Sequence, residues 1–410
     1  MASSVPNFAY CTLLTRSSYL AGVIILLHTL RETKTPYPLV VLYTDTLPET
    51  SVKALELETK HKNLILKPIS ALLPRENVHV HLIAERFADT WTKLRVFELF
   101  EYDTVCYLDA DMILRKNMDA VFETELPPDC IAANHACVCN LDKDPWAPED
   151  WRSENCAYTA VSHPEALTHP TAVTSASRPT HQLLNSGMFL FKPHAALWTR
   201  MLHFFNTTPL LSTFKFPDQD FLIEFFRGRW RSLGWQYNAL KTMRYWHPNI
   251  WRDDEVVCLH YIVDKPWAKR VGDDGVAGYL GRDGETHKWW WAEYEKWQGG
   301  RRREGEDEVL ELVRPHVAKP PADDDGVESE ELAAIGSKVQ AFAKNKAPAG
   351  GEKAEEKEDV EGVMEQKDAD ASNEPHIDGP VLGKKMLGER GHGPVVHDRP
   401  RANRSSMMEP

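Results

Sequence analysis

The chain has 410 residues and a formal net charge of −13, and its aromatic-rich part carries no basic surplus, which argues against a nucleic-acid-binding protein. All 13 Trp and all 12 Tyr precede residue 299, whereas 301–410 holds a single aromatic, Phe342, with 17 basic against 25 acidic residues. So little apolar surface cannot offset chain entropy, and the expectation is a folded domain over 1–298 and a charged, mostly disordered tail over 299–410.

In chain order, Phe8 to Leu14 predicts a strand, and Tyr19 to Arg31 has helical spacing. Pro38 to Tyr43 reads as a buried strand, Pro48 to Lys60 as a helix and Leu64 to Pro68 as another strand. Trp91 to Phe100 predicts a helix, followed by a strand over Thr104 to Leu108. Alternation of this kind points to an α/β fold with a mostly parallel sheet. Residues 127–182 are irregular and rich in Pro, Cys, Trp and His. Cys137, Cys139 and Cys156 lie there, but Cys-x-Cys plus one distant Cys lacks the paired spacing of a zinc site, so buried free thiols are expected. Gly22 to Leu27 is apolar but too short to cross a bilayer, and Met1 to Asn7 shows no signal peptide. With seven cysteines and no secretory signal, reduced thiols and a cytoplasmic location are expected, with no membrane span.

Five Asp-x-Asp patterns occur: Asp109/Asp111, Asp142/Asp144, Asp218/Asp220, Asp323/Asp325 and Asp368/Asp370. The first follows a buried-looking strand, at the end where open α/β sheets bind ligands. Two carboxylates one residue apart suit a divalent cation carrying a diphosphate. Further downstream come Asn185-Ser186-Gly187-Met188-Phe189, a polar turn feeding a strand, and Asp218-Gln219-Asp220, where a helix begins. A strand then ends in His260, with Lys265-Pro266-Trp267 soon after.

In this order, with Thr12-Leu13-Leu14-Thr15, Tyr19, Thr92-Lys93-Leu94-Arg95, Tyr107-Leu108-Asp109-Ala110-Asp111 and Tyr237-Asn238, these segments resemble glycosyltransferase family 8, the GT-A-fold family of glycogenin and galactinol synthase. The resemblance runs from Phe8 to about Trp297. Ala136-Cys137-Val138-Cys139, Gln219-Asp220-Phe221-Leu222, His247-Pro248 and Lys288-Trp289-Trp290 are nearer the galactinol synthase branch.

The resemblance implies a retaining hexosyltransferase that takes a UDP-hexose, UDP-galactose or UDP-glucose, to a small polyol or similar acceptor. It implies metal ligation by Asp109, Asp111 and His260, with Mn²⁺ as the ion or Mg²⁺ in its place. Leu13, Thr15 and Tyr19 would hold the uridine. Lys93, Ala110 and Lys265 would meet the donor and its diphosphate. Asn185 and Ser186 would bind sugar or acceptor hydroxyls, and Asp218 and Gln219 occupy the position of the family's catalytic and sugar-contacting groups. Two alternatives remain open: glycogenin-like self-glucosylation on Tyr245, and a non-catalytic nucleotide-sugar-binding scaffold. A homodimer is compatible with the resemblance, and the tail's partner is unidentified. One departure stands out: the stretch from His260 to Lys265 reads Tyr261-Ile262-Val263-Asp264, shorter than the family's usual loop and without its glycine.

Overall fold

The computed structural model describes residues 6–75, 90–144 and 147–320. Its centre is a seven-stranded sheet of order β3-β2-β1-β4-β7-β6-β8. The strands are β1 (Phe8–Leu14), β2 (Leu39–Thr44), β3 (Leu64–Ile69), β4 (Thr104–Leu108), β6 (Ile131–His135), β7 (Leu184–Phe191) and β8 (Trp230–Ser232). The β1–β2, β2–β3, β1–β4 and β6–β8 pairings are parallel, and β7 runs antiparallel to both β4 and β6. The expected mixed α/β architecture with a mostly parallel sheet is what the chain adopts.

Alternation along each strand divides the core between two faces. Tyr10, Val41, Cys106, Leu108, Met188 and Leu190 pack with α1 (Leu20–Glu32) and α6 (Gly284–Glu304). Ala9, Cys11, Val40, Val105, Tyr107 and Phe189 pack with α3 (Ala195–Thr207), α4 (Pro217–Phe225) and the segment Thr90–Glu98. That segment is a 3-10 helix, not the α-helix its composition suggests. Trp91, Leu94 and Phe97, all buried, recur every three residues. A three-residue repeat stacks on one face of a 3-10 helix but drifts around an α-helix.

Two features depart from the sequence reading. β6 lies inside the stretch read as irregular. Its five residues are all buried, so it shows no alternation to read. The folded elements also continue past 298: α6 ends at Glu304, capped by the left-handed Gly305, and α7 (Asp307–Val313) buries Val309, Leu310 and Val313. These few apolar positions in so charged a stretch were too sparse to read as core. Residues 321–410 of the tail fall outside the described residues.

A smaller three-stranded sheet completes the site. β5 (Met112–Leu114) pairs antiparallel with β10 (Cys258–His260), and β9 (Ala239–Leu240) pairs parallel to β10.

Candidate active site

Strand register assembles the site. β4 ends at Leu108, opposite Met188 of β7, and the Asp109 N–H donates to the Gly187 carbonyl at 2.8 Å. This lays Asn185, Ser186 and Gly187 beside the first aspartate. In the small sheet His260 pairs with Met112, and the Tyr261 N–H donates to the Asp111 carbonyl at 2.9 Å. A residue 149 positions downstream of Asp111 is thereby fixed beside it.

Each of Asp109, Asp111 and His260 offers a ligand atom, and these atoms lie within 4.8 Å of one another. His260 Nε2 is 3.2 Å from Asp111 Oδ1 and 3.9 Å from Asp109 Oδ2. The direction of the imidazole's proton follows from a chain of hydrogen bonds. The Gly187 backbone N–H, which can only donate, meets Asn185 Oδ1 at 3.0 Å. The same oxygen accepts from Asn238 Nδ2 at 2.9 Å. Asn238 Oδ1 therefore faces His260 Nδ1, at 2.9 Å, and takes its proton. In the neutral imidazole this leaves the Nε2 lone pair facing the two carboxylates. That arrangement of three electron-rich groups calls for positive charge between them, and two carboxylates with one imidazole suit a divalent ion such as Mn²⁺. Gly187 also supplies the space: a Cβ there would stand 2.3 Å from His260 Cε1.

Two buried lysines flank the carboxylates. Lys93 Nζ is 3.0 Å from Asp109 Oδ1 and 2.6 Å from Asp218 Oδ2. Burial works to lower its pKa, but Asp109 and Asp218 outweigh burial and raise it, so Lys93 is held as a cation. Lys265 Nζ pairs with Asp111 Oδ2 and donates to the Tyr261 carbonyl at 2.8 Å. Burial would raise the Asp111 pKa, but the Lys265 ammonium outweighs it and brings it well below the carboxylate range. Tyr107 donates its hydroxyl to Asp109 Oδ1 at 2.9 Å.

Pro217 sits in the first turn of α4, where a missing N–H costs nothing. The turn presents Asp218 and Gln219 to the site. Ser186 Oγ donates to Asp218 Oδ2 at 2.8 Å, and the Ser186 N–H donates to Gln219 Oε1 at 3.3 Å. Asp220 points back instead, accepting from the Lys215 and Phe216 N–H groups at 2.8 and 2.9 Å. Burial pushes its pKa up to about 6.

The site opens on a cavity of about 660 Å³, within the range of small-molecule sites. Leu13, Thr15, Tyr19, Lys93, Asp109, Ala110, Asp111, Asn185, Ser186, Asp218, Gln219, His260 and Lys265, the residues singled out from sequence, all line it. Tyr19 is half-buried, edge-on to Trp267 with ring centroids 5.8 Å apart. Asp142 and Asp144, another of the five Asp-x-Asp patterns, line the cavity too; nothing in their local pattern separates them from surface acid. Asn238 was visible only as part of a matching segment, and its role needed the third dimension. Asp323/Asp325 and Asp368/Asp370 lie outside the described residues. Tyr245 is not among the lining residues. Its hydroxyl is buried without a hydrogen-bond partner, and the Arg282 guanidinium lies 5.5 Å from its ring centroid. In the short loop after His260, Val263 takes φ 65°, a left-handed conformation that costs a β-branched residue strain and that the family's glycine would adopt freely.

A charged carboxylate-imidazole cluster at the C-terminal edge of such a sheet, flanked by cations and facing a cavity, marks a GT-A-fold glycosyltransferase. The sequence profile described as Glycosyl transferase family 8 matches residues 10–270, and the chain belongs to that family. It is galactinol synthase-like: it is 29% identical to galactinol synthase 1 of Solanum lycopersicum over 286 residues, covering 69% of this chain and 80% of that protein. It is 30% identical to galactinol synthase 6 of Arabidopsis thaliana over 264 residues, covering 63% and 73%. Among solved structures it is similar to the glycosyltransferase GlyE of Streptococcus pneumoniae TIGR4, at 16% identity and TM-score 0.47, covering 76% of this chain and 65% of that one. Among the described residues no helix is long and apolar enough to cross a membrane.

Proposed function

We propose that this glycosyltransferase is metal-dependent and moves a hexose, with retention of anomeric configuration, from a UDP-hexose to a small polyol, in the manner of a galactinol synthase. The observation that carries the reading is the His260 tautomer. The Gly187–Asn185–Asn238 relay directs a lone pair at Asp109 and Asp111, the geometry wanted for a metal that holds a diphosphate. When bound, the ion supplies Lewis-acid stabilisation of the departing UDP.

The chain's own residues do the rest. Tyr19, Leu13 and Thr15 line the cavity and would hold the uridine. Lys265 and Lys93 carry fixed positive charge to the diphosphate side, where it acts without reorganisation. Ser186, Asn185 and Gln219 offer hydrogen bonds that orient the sugar. Asp218 Oδ2 is already committed to Lys93 and Ser186. A carboxylate so engaged is a weak nucleophile, which favours front-face displacement with the leaving phosphate taking the acceptor's proton. Galactose as the sugar and myo-inositol as the acceptor rest on the resemblance to galactinol synthase, and a cytosolic setting rests on the free thiols.

Pure protein incubated with Mn²⁺, labelled UDP-galactose and myo-inositol is expected to release UDP and form a galactosyl-polyol. Asp109→Asn is expected to lower turnover by on the order of 100-fold or more. A panel of UDP-hexoses giving no UDP above background would sink the enzymatic reading. UDP release without transfer to myo-inositol would remove only the acceptor.

A further inference from the structure

On the other wall of the cavity, four side chains from three separate segments converge. Cys137 and Cys139 follow β6, and both sulfurs reach the same imidazole nitrogen of His247. Cys156 closes the short turn Ser153–Asn155, its N–H donating to the Ser153 carbonyl at 3.1 Å. His247 ends α5 (Met243–Trp246), its N–H donating to the Met243 carbonyl at 2.8 Å. Cys139, Cys156 and His247 are buried, and Cys137 nearly so.

His247 Nε2 lies 3.2 Å from Cys137 Sγ, 3.2 Å from Cys139 Sγ and 3.6 Å from Cys156 Sγ. Cys156 Sγ and Cys137 Sγ are 4.0 Å apart, and no disulfide joins any of them. All four ligand atoms lie within 4.8 Å of one another. An imidazole nitrogen has one proton or one lone pair and makes one good hydrogen bond. It cannot serve three sulfurs at once. A cation at the centre serves all four atoms together.

We propose that Cys137, Cys139, Cys156 and His247 bind one structural zinc ion, separate from the Asp109–Asp111–His260 site. Zn–S and Zn–N bonds of about 2.3 and 2.0–2.1 Å place tetrahedral S···S edges at roughly 3.8 Å and S···N edges at roughly 3.6 Å. The observed S···N distances of 3.2, 3.2 and 3.6 Å and the S···S distance of 4.0 Å lie within about 0.4 Å of those values. They are too short for a polynuclear iron–sulfur cluster, whose cysteine sulfurs sit around several irons. Binding is balanced by release of three thiol protons, with the imidazole neutral and Nε2 as donor. Four protein ligands leave no open position, which makes the site structural and not catalytic.

The ion would staple the segment following β6 and the Cys156 turn to α5. Those elements carry Cys137, Asn140, Asp142 and Trp246 of the cavity wall. The sequence hid the site because its fourth ligand lies 91 positions beyond Cys156.

Full-length protein purified without chelators or an affinity metal, then dialysed, should hold about one zinc per chain by elemental analysis. Cys139→Ser and Cys156→Ser should each lose it, whereas Cys130→Ser and Asp111→Asn should keep it. Because the cysteine variants can fail through misfolding, cobalt exchange gives a second readout on the wild-type chain. Co²⁺ should show the intense visible bands of a tetrahedral thiolate site, abolished by a thiol-blocking reagent. Three results would overturn the proposal: wild-type protein free of zinc and showing no thiolate bands with Co²⁺; zinc that survives in both cysteine variants and leaves with Asp111→Asn; or a disulfide among the three cysteines in freshly isolated, metal-free protein.

Discussion

At the scale of single residues, the site depends on the direction of one proton. A backbone N–H at Gly187 fixes Asn185, Asn185 fixes Asn238, and Asn238 fixes His260. Groups that orient a metal-binding imidazole matter nearly as much as the ligand itself. Asn238→Ala removes the acceptor for Nδ1–H while leaving all three ligands in place. We expect metal affinity, read as the Mn²⁺ concentration giving half-maximal UDP release, to weaken by about 10–100-fold. The melting temperature in the absence of metal should change far less. An unchanged Mn²⁺ dependence would refute the relay. The ligands themselves were legible in the sequence, because short stretches such as Tyr107 to Asp111 carry their chemistry locally. Asn238 was not, because its importance lies in facing His260 across two strands of the small sheet. Asp142 and Asp144 escaped for a related reason: only the packing of their loop against the cavity distinguishes them from acids in solvent.

At the scale of elements, α4 carries two aspartates with opposite jobs. Asp218 faces the cavity, paired with Lys93. Asp220, two residues on, turns back to cap the chain entering the helix. Its pKa is raised by burial to about 6, above the ordinary value near 3.9. The sign follows directly. Between about pH 4 and 6 the folded state holds this proton and the unfolded chain does not, so stability falls as pH rises through that window and stays lower above it. Asp220→Asn keeps an oxygen for both backbone donors and removes the ionisation. Relative to wild type, the variant should gain about 1–3 kcal/mol between pH 4.5 and pH 7.5. Thermal melts of both proteins at the two pH values measure this as a difference of differences. A gain that is the same at both pH values would contradict the titration. Helix α1 was plain from its helical spacing, and β4 from the short apolar run Thr104 to Leu108 that leads into Asp109. β6 and the 3-10 segment Thr90–Glu98 were not, since one is buried on both faces and the other repeats every three residues.

At the scale of the whole molecule, the sequence placed the end of the folded domain at 298, and packing carries the folded elements further. Glu58, at the end of α2 (Glu49–Glu58), is 1% exposed. It accepts from Trp297 Nε1 at 2.9 Å, Arg301 Nε and Nη2 at 2.8 Å each, and Arg31 Nη1 at 2.5 Å. Burial would raise the Glu58 pKa, but Arg301 more than offsets it and the net shift is downward. The contribution is therefore present above the ordinary glutamate range and lost on acidification. Val309, Leu310 and Val313 of α7 bury alongside, and α7 packs on α2. Ending the chain at 298 removes Arg301 and all of α7. Stripping one partner from a buried ion pair costs about 3–5 kcal/mol. Each aliphatic side chain no longer buried costs about 1.5–3 kcal/mol more. Together these rival the whole stability of an ordinary domain, about 5–15 kcal/mol. A chain of residues 1–298 is expected to be insoluble or to lack a cooperative melt. Residues 1–320 keep Arg301, α7 and Val317, and should melt within about 2–4 °C of the full-length protein. Arg301→Met in the full chain isolates the electrostatic part. It should lower the melting temperature, and by less as the pH falls below the ordinary glutamate range, where a Glu58 deprived of Arg301 takes up a proton. If 1–298 melts like the full-length chain, the structural role assigned to residues 299–320 fails.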